Sequence, residues 1–286
     1  MEHPYHINEK EPLLNDLDKL HRLMEVPYSK GKEEIWEAVQ EKMPAEEKIV
    51  RPLPIYRKTR WMAAAVVALL IGLTALLRFY PVTVRTAPGQ TASVALPDGS
   101  SVMLNAASWL TYHPLWWKFS PEITLEGEAF FTGRHNRHFT VRSKLGTVTV
   151  LGTSFDVYAR SGLYRVVCFT GKVNVTSRTR KSLVLTPGEK AEITPAGEIT
   201  FTKDIRTDDY NAWTRGQFVF TAAPLPSVLD ELARRYHVRI VLQQKISSGY
   251  TGNFSASIPV EEALNIVCKP FGLTFVKKDN GIYIVR

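Results

Sequence analysis

Residues 61–77 read WMAAAVVALLIGLTALL, an apolar run without a single charge, preceded by Arg57, Lys58 and Arg60. From Trp61 to Tyr80 such a segment rises roughly 28 Å as a helix, close to the ~30 Å hydrocarbon thickness of a bilayer. Trp61 and Tyr80 stand where interfacial aromatics belong, Leu69 and Leu77 lie in the apolar body between them, and Arg78 can snorkel toward the headgroups. The basic cluster before the run outweighs Arg78 and Arg85 after it, which places the N-terminus in the cytosol and the C-terminus outside. Some 60 residues precede the run and no small-x-small cleavage site follows it, so it reads as a signal anchor rather than a removed signal peptide. The competing reading is a buried core helix of a soluble fold, in which charges confined to the two ends are unusual.

The anchor splits the composition. Residues 1–56 carry eight Lys or Arg against twelve Asp or Glu, whereas residues 61–286 carry 25 against 16. A basic domain in the cytosol would suggest nucleic acid; outside it, anionic envelope material or an acidic protein surface fits better, beside the plain alternative of a solvated basic face. Only Cys168 and Cys268 occur, on the oxidising side and a hundred residues apart, one in a strand-like run and one ending an amphipathic helix. Two small buried thiols are expected there, not a disulfide framework.

On the cytosolic side, Leu13, Leu17, Leu20 and Met24 form one helical stripe, and Ile35, Trp36, Val39 and Met43 another. Pro27 separates the two, and Pro44, Pro52 and Pro54 stop the second from running into the span. About 55 residues can barely bury a core of their own. Either the two helices pack on each other, or the face around Leu17, Leu20, Met24, Ile35, Trp36 and Val39 is completed by a cytosolic partner.

Beyond the span, residues 82–203 lose helical periodicity and show short alternating runs punctuated by Gly and Pro, the pattern of an all-β sandwich or short β-solenoid. Val94 and Leu96 lead into Pro97-Asp98-Gly99 and out through Val102 and Leu104, a hairpin; Ile123–Leu125 and Ala129–Phe131 read as two of the further strands. The motifs come in a particular order: Leu96-Pro97-Asp98-Gly99-Ser100, Leu104-Asn105, Leu125-Glu126-Gly127-Glu128-Ala129-Phe130-Phe131, Val150 to Val157, Gly171-Lys172-Val173 and Leu185-Thr186-Pro187-Gly188-Glu189. In that succession the chain resembles the FecR family of iron-dicitrate-sensor type transmembrane anti-sigma regulators. The resemblance implies an extracytoplasmic-function sigma factor as cytosolic partner and a TonB-dependent outer-membrane transducer as partner across the periplasm. It also implies a site of self-cleavage, since some such proteins split at a Gly-Thr bond. Two are present, Gly146-Thr147 and Gly152-Thr153, and the second lies within a matching motif. A Thr hydroxyl can attack the preceding carbonyl where Gly permits the approach. The plainer reading makes Gly152 a bend and Thr153 a β-former.

Enzyme chemistry has little support. Glu126 and Glu128, alternate residues of a strand, should share a face, but turn or ladder hydrogen bonding explains them. His135 and His138 lack a carboxylate or thiol neighbour, so the Arg134–His138 loop reads as solvated and basic rather than as a metal site. No nucleophile elbow, phosphate loop or zinc spacing occurs, and no cofactor is expected.

The C-terminal residues repeat at an offset of 35: Leu225, Val228, Leu229, Leu232, Tyr236, Val238, Ile240 and Val241 correspond to Val260, Ala263, Leu264, Val267, Phe271, Leu273, Phe275 and Val276. Each repeat reads as strand, helix, strand, giving an α+β module similar to the short N-terminal domains of secretins and TonB-dependent receptors. Asp279-Asn280-Gly281 turns into Ile282, Tyr283, Ile284 and Val285, a strand expected to leave backbone groups open to a transducer. The layout expected is a cytosolic arm (1–56), an anchor (57–80), a periplasmic β domain (82–205) and a duplicated βαβ tail (210–286). The function expected is an inner-membrane sigma regulator relaying an outer-membrane signal. The alternative is a membrane-anchored envelope protein that binds glycan or a secretion assembly.

Overall fold

The computed structural model describes Lys19, Leu20, Leu23 and residues 31–43, 55–134, 137–160, 162–278 and 281–286. Leu13, Leu17, Met24, Pro27, Pro44, Pro52, Pro54, His135, Asp279 and Asn280, all used above, lie outside them. The chain divides into two units, Met1–Ala63 and Ala64–Arg286.

In the first unit, helix α1 (Lys32–Lys42) opens with Glu33 and Glu34 at its positive end and closes with Lys42 at its negative end. Helix α2 (Ile55–Phe79) crosses the boundary between the units, and its segment Thr59–Phe79 is long and apolar enough to span a membrane, with none of it buried in protein.

The second unit is mainly β. Thirteen strands form one curled sheet: β1 (Val82–Arg85), β2 (Ala92–Ala95), β3 (Ser101–Leu104), β4 (Trp109–Tyr112), β5 (Glu122–Thr132), β6 (His138–Arg142), β7 (Gly146–Leu151), β8 (Ser154–Arg160), β9 (Leu163–Thr170), β10 (Val173–Ser177), β11 (Ser182–Leu185), β12 (Lys190–Ile193) and β13 (Ile199–Thr202). Its path runs β11-β10-β7-β6-β5-β8-β9-β12-β13, with β4 and β3 also on β5, β1 on β4 and β2 on β3. Strand β5 belongs to both halves. Residues 122–126 pair with β4 and, in parallel, with β6, while residues 127–132 pair with β3 and β8. The two short strands expected at 123–125 and 129–131 are therefore one, bent at Gly127. A φ of +111° there suits glycine, and a Cβ would lie 2.4 Å from the Ser108 side chain.

The bend folds one half of the sheet onto the other. Ile123, Leu125 and Phe139 from one half meet Ala129, Phe131 and Phe155 from the other in one buried core. Phe131 stacks on Phe155 at 4.8 Å, and Phe139 stands 6.0 Å from each. Within this sheet all pairings but β5 with β6 are antiparallel, so the curled half-barrel is nearer the sandwich than the solenoid. The Leu96–Ser100 turn forms as its residues dictate: Gly99 takes φ +85°, and the Ser100 amide donates to Asp98 Oδ1 at 2.9 Å.

The duplicated tail follows helix α3 (Thr207–Tyr210) and a 3-10 turn (Ala212–Arg215). Strand β14 (Gln217–Pro224), helix α4 (Leu225–Tyr236) and β15 (Arg239–Leu242) make one repeat; β16 (Gly249–Ser255), helix α5 (Val260–Cys268) and β17 (Phe275–Lys278) make the other, and β18 (Ile282–Val285) closes the chain. β14 pairs with β16; β15, β18 and β17 form a second sheet. Leu225, Val228, Leu229 and Leu232 face Ala263, Leu264, Val267 and Cys268 in a second core, as the repeat requires. Val241 and Val276, equivalent in the repeat, stay 37% and 40% exposed on the two outer strands of the second sheet.

Candidate functional site

The feature that ties the two cores of the second unit together is polar. Gly127 turns β5 so that Glu126 is exposed while Glu128 is buried, so the two carboxylates do not share a face. Asn105, at the end of β3, donates through Nδ2 to Glu128 Oε2 at 2.6 Å and to Glu231 Oε1 on α4 at 3.4 Å. One side chain thus bridges residues 126 positions apart in the chain. Arg234, one turn along α4, donates to Glu231 Oε2 through Nε at 3.1 Å and Nη2 at 2.7 Å, while its carbonyl accepts from the Gly89 amide at 2.8 Å. On the next strand, Arg160 donates to the Ala106 and Ala107 carbonyls at 2.6 and 2.8 Å and to Ser108 Oγ at 2.8 Å. This fixes the loop that presents Asn105.

A second carboxylate lies behind the first. Asp156 on β8 is fully buried; its Oδ1 accepts from Trp213 Nε1 at 3.3 Å, and no hydrogen bond reaches Oδ2. Burial, then repulsion from Glu128, raises the Asp156 pKa well above the ordinary carboxylate range. Glu128 is raised by burial and by Glu231, against the pull of Arg165 and Arg160. Arg165, 3.6 Å from Glu128 Oε1, is sandwiched between the rings of Tyr158 and Tyr210 at 4.8 and 4.9 Å. Beside these groups runs a groove of about 840 Å³, lined by Arg165, Lys190 and Tyr210 together with β14.

Glu128 and Glu231 are each met by the Asn105 amide and an arginine, Asp156 by the Trp213 indole alone, and these polar contacts join two cores. Asn105 and Asp156 lie within the Leu104-Asn105 and Val150 to Val157 motifs, but local pattern does not single them out. The available signal was a lone polar residue in an apolar strand run.

The other expected sites are spread through the fold. Thr153 is fully buried between β7 and β8, its Oγ1 has no hydrogen-bond partner, and Gly152 before it takes φ +69°. Thr147 instead pairs within the sheet, opposite Thr176 and Arg142. Trp36 is 65% exposed, Leu20 and Val39 are exposed and Ile35 is partly covered; Leu17 and Met24 lie outside the described residues. Ile282–Val285 is the central strand of its sheet, parallel to β15 and antiparallel to β17. Its backbone is engaged on both sides, which corrects the expectation of strand addition there; the open edges belong to β15 and β17. Trp61 and Leu69 on α2, and Tyr80 just beyond it, are exposed. Cys168 and Cys268 are free thiols in separate cores, each with its pKa pushed up to about 11 by burial. Among the described residues no cluster of three His, Cys, Asp or Glu could hold a metal.

A buried charged cluster thus joins the curled β domain to the duplicated βαβ tail. The family model for the FecR protein matches residues 82–174 and that for the FecR C-terminal region matches residues 217–284, together more than half of the chain. The chain belongs to the FecR family of anti-sigma regulators. Two crystal structures of a candidate anti-sigma factor from Parabacteroides distasonis, at 2.50 and 1.65 Å resolution, resemble it with 28% identity and a TM-score of 0.67, covering 72% of this chain and 98% of theirs. No curated protein matches.

Proposed function

We propose that this chain is a single-pass inner-membrane sigma regulator, with its N-terminal arm (1–56) in the cytosol and its β domain (82–205) and tail (210–286) in the periplasm. The arm binds an extracytoplasmic-function sigma factor through the face around Trp36, and the tail receives a TonB-dependent outer-membrane transducer. The observation that carries the relay is the Asn105 bridge between Glu128 of the β domain and Glu231 of the tail. A partner that shifts α4 disturbs a buried charged cluster, where small displacements cost far more than at an exposed ion pair. For docking, the outer face of the second sheet offers Val241, Ile284 and Val276 in one row across three strands, flanked by the open edges of β15 and β17. The test is a sigma-dependent reporter in cells. Deleting residues 218–286 uncouples the reporter from the outer-membrane signal while residues 1–56 still co-purify with the sigma factor. A normal response without the tail, or an arm that captures no sigma factor, overturns the reading.

The Gly152-Thr153 bond is the proposed self-cleavage site. An unpartnered Thr153 hydroxyl beside a glycine with positive φ supports attack on the Gly152 carbonyl. The C–O ester forms as the C–N bond breaks, the Thr153 nitrogen leaves with the proton as an amine, and water then hydrolyses the ester.

A further inference from the structure

The β domain carries an apolar patch that its own core does not use. Between β4 and β5, a 3-10 turn (Pro114–Trp116) opens the loop 113–121. Trp117 points inward, nearly buried, edge-on to Tyr112 at 5.9 Å and 6.4 Å from Phe139, and so pins the loop to the core. Its neighbours do the reverse. Leu115 is 53% and Phe119 71% exposed, the Trp116 and Phe119 rings lie 4.7 Å apart, and Lys118 is exposed between them. A soluble surface seldom groups large apolar side chains on a rigid turn without a partner.

The neighbourhood says which partner. The Arg78 guanidinium, in the last turn of α2, lies 5.8 Å from the Trp116 ring and 5.7 Å from that of Phe79. Trp116 also lines a crevice of about 530 Å³ with Leu70, Ile71 and Thr74, residues of the same apolar helix. The patch is therefore continuous with the surface that the span offers to lipid. Its composition, Trp and Phe with Leu and a snorkelling Lys, is that of the bilayer interface. We infer that Leu115, Trp116 and Phe119 insert into the outer-leaflet interface of the membrane, seating the β domain on the bilayer beside its own anchor. This rests on the reading of Thr59–Phe79 as a span. Its consequence is that the tail moves against a β domain held at the membrane by two contacts rather than by a single helix.

The experiment uses the full chain reconstituted in phosphatidylethanolamine–phosphatidylglycerol vesicles, with nitroxide attached at Phe119→Cys and, separately, at Leu115→Cys. Both sites are exposed, so neither change disturbs the core, and Cys168 and Cys268 are buried from the reagent. Collision with oxygen, which concentrates in the bilayer, is compared with collision with a water-soluble nickel chelate. Leu73→Cys within the span and Lys181→Cys on the β domain are the lipid and water references. The expected result is an oxygen-to-nickel ratio at 115 and 119 several-fold above that at 181 and below that at 73. A water-like ratio at 115 and 119 with a lipid-like ratio at 73 overturns the patch and leaves the span standing. A water-like ratio at 73 overturns both. Shielding of 115 and 119 from both colliders means that protein covers the patch and also overturns the inference.

Discussion

Substituting Gly171 by Ala tests how tightly the Gly152-Thr153 segment is held. Gly171 lies in the turn between β9 and β10 at φ +71°, and a Cβ placed on it would sit 2.5 Å from Thr153 Cγ2 and 3.3 Å from Thr153 Cβ. The left-handed conformation costs an alanine ~1–2 kcal/mol, partly offset by ~0.4–1 kcal/mol from a stiffer unfolded chain. The clash adds the cost of overpacking, ~1–3 kcal/mol, because Thr153 is fully buried and β-branched and cannot swing aside. Gly188 supplies the control: it takes φ +85° with no atom within 4 Å of an added Cβ, so Gly188→Ala carries the backbone cost alone. In urea unfolding followed by intrinsic fluorescence, Gly171→Ala should lose ~2–4 kcal/mol and Gly188→Ala ~1 kcal/mol or less. Adding Thr153→Ser, which removes Cγ2, should recover most of the difference. Equal losses for the two glycines, or no rescue by serine, would refute the reasoning.

Asp156 and Glu128 both bind their protons more tightly folded than unfolded, so their contribution is greatest in acid and is lost as pH rises from ~4, the unfolded carboxylate range, through their raised pKa values. Asp156→Asn should therefore flatten the decline in melting temperature on the alkaline side of that range; an unchanged slope would exclude the buried carboxylate as its source. Glu261 has the opposite sign: hydrogen bonds from Tyr283 and then Lys277 hold it at about 2, so its stabilisation is present above ~4.3 and is lost as pH falls from there through about 2. Glu261→Gln should remove this acid-side dependence with only a small effect at neutral pH, since the carboxylate is 42% exposed and screened. Trp36→Ala should weaken sigma-factor binding at least ~30-fold, the result of losing an aromatic anchor worth ~2 kcal/mol, with Lys30→Ala as the matched control in a titration. Intact mass of the purified chain should show two fragments meeting at Gly152-Thr153 in the wild type and none with Thr153→Ala; one uncut wild-type species removes the cleavage proposal.

Local pattern in the chain was enough for the apolar span, for the Leu96–Ser100 turn, whose Asp98 and Gly99 act within five residues, and for the repeat at offset 35, whose helical spacing marked Leu225, Val228, Leu229 and Leu232 for burial. Each depends on the period of a single element or on the dihedral demands of a few neighbouring residues. Tertiary structure alone decided that Gly127 bends one strand rather than ending it, because that depends on Ser108 approaching from the loop between β3 and β4. It decided likewise that β18 lies between β15 and β17, since a strand's alternation records which face is buried and not which neighbours take its hydrogen bonds. The joint follows the same logic. Asn105, Glu128, Asp156, Arg165 and Glu231 are each an ordinary polar residue along the chain, and they become one coupled cluster only where the β domain and the tail exclude water between them.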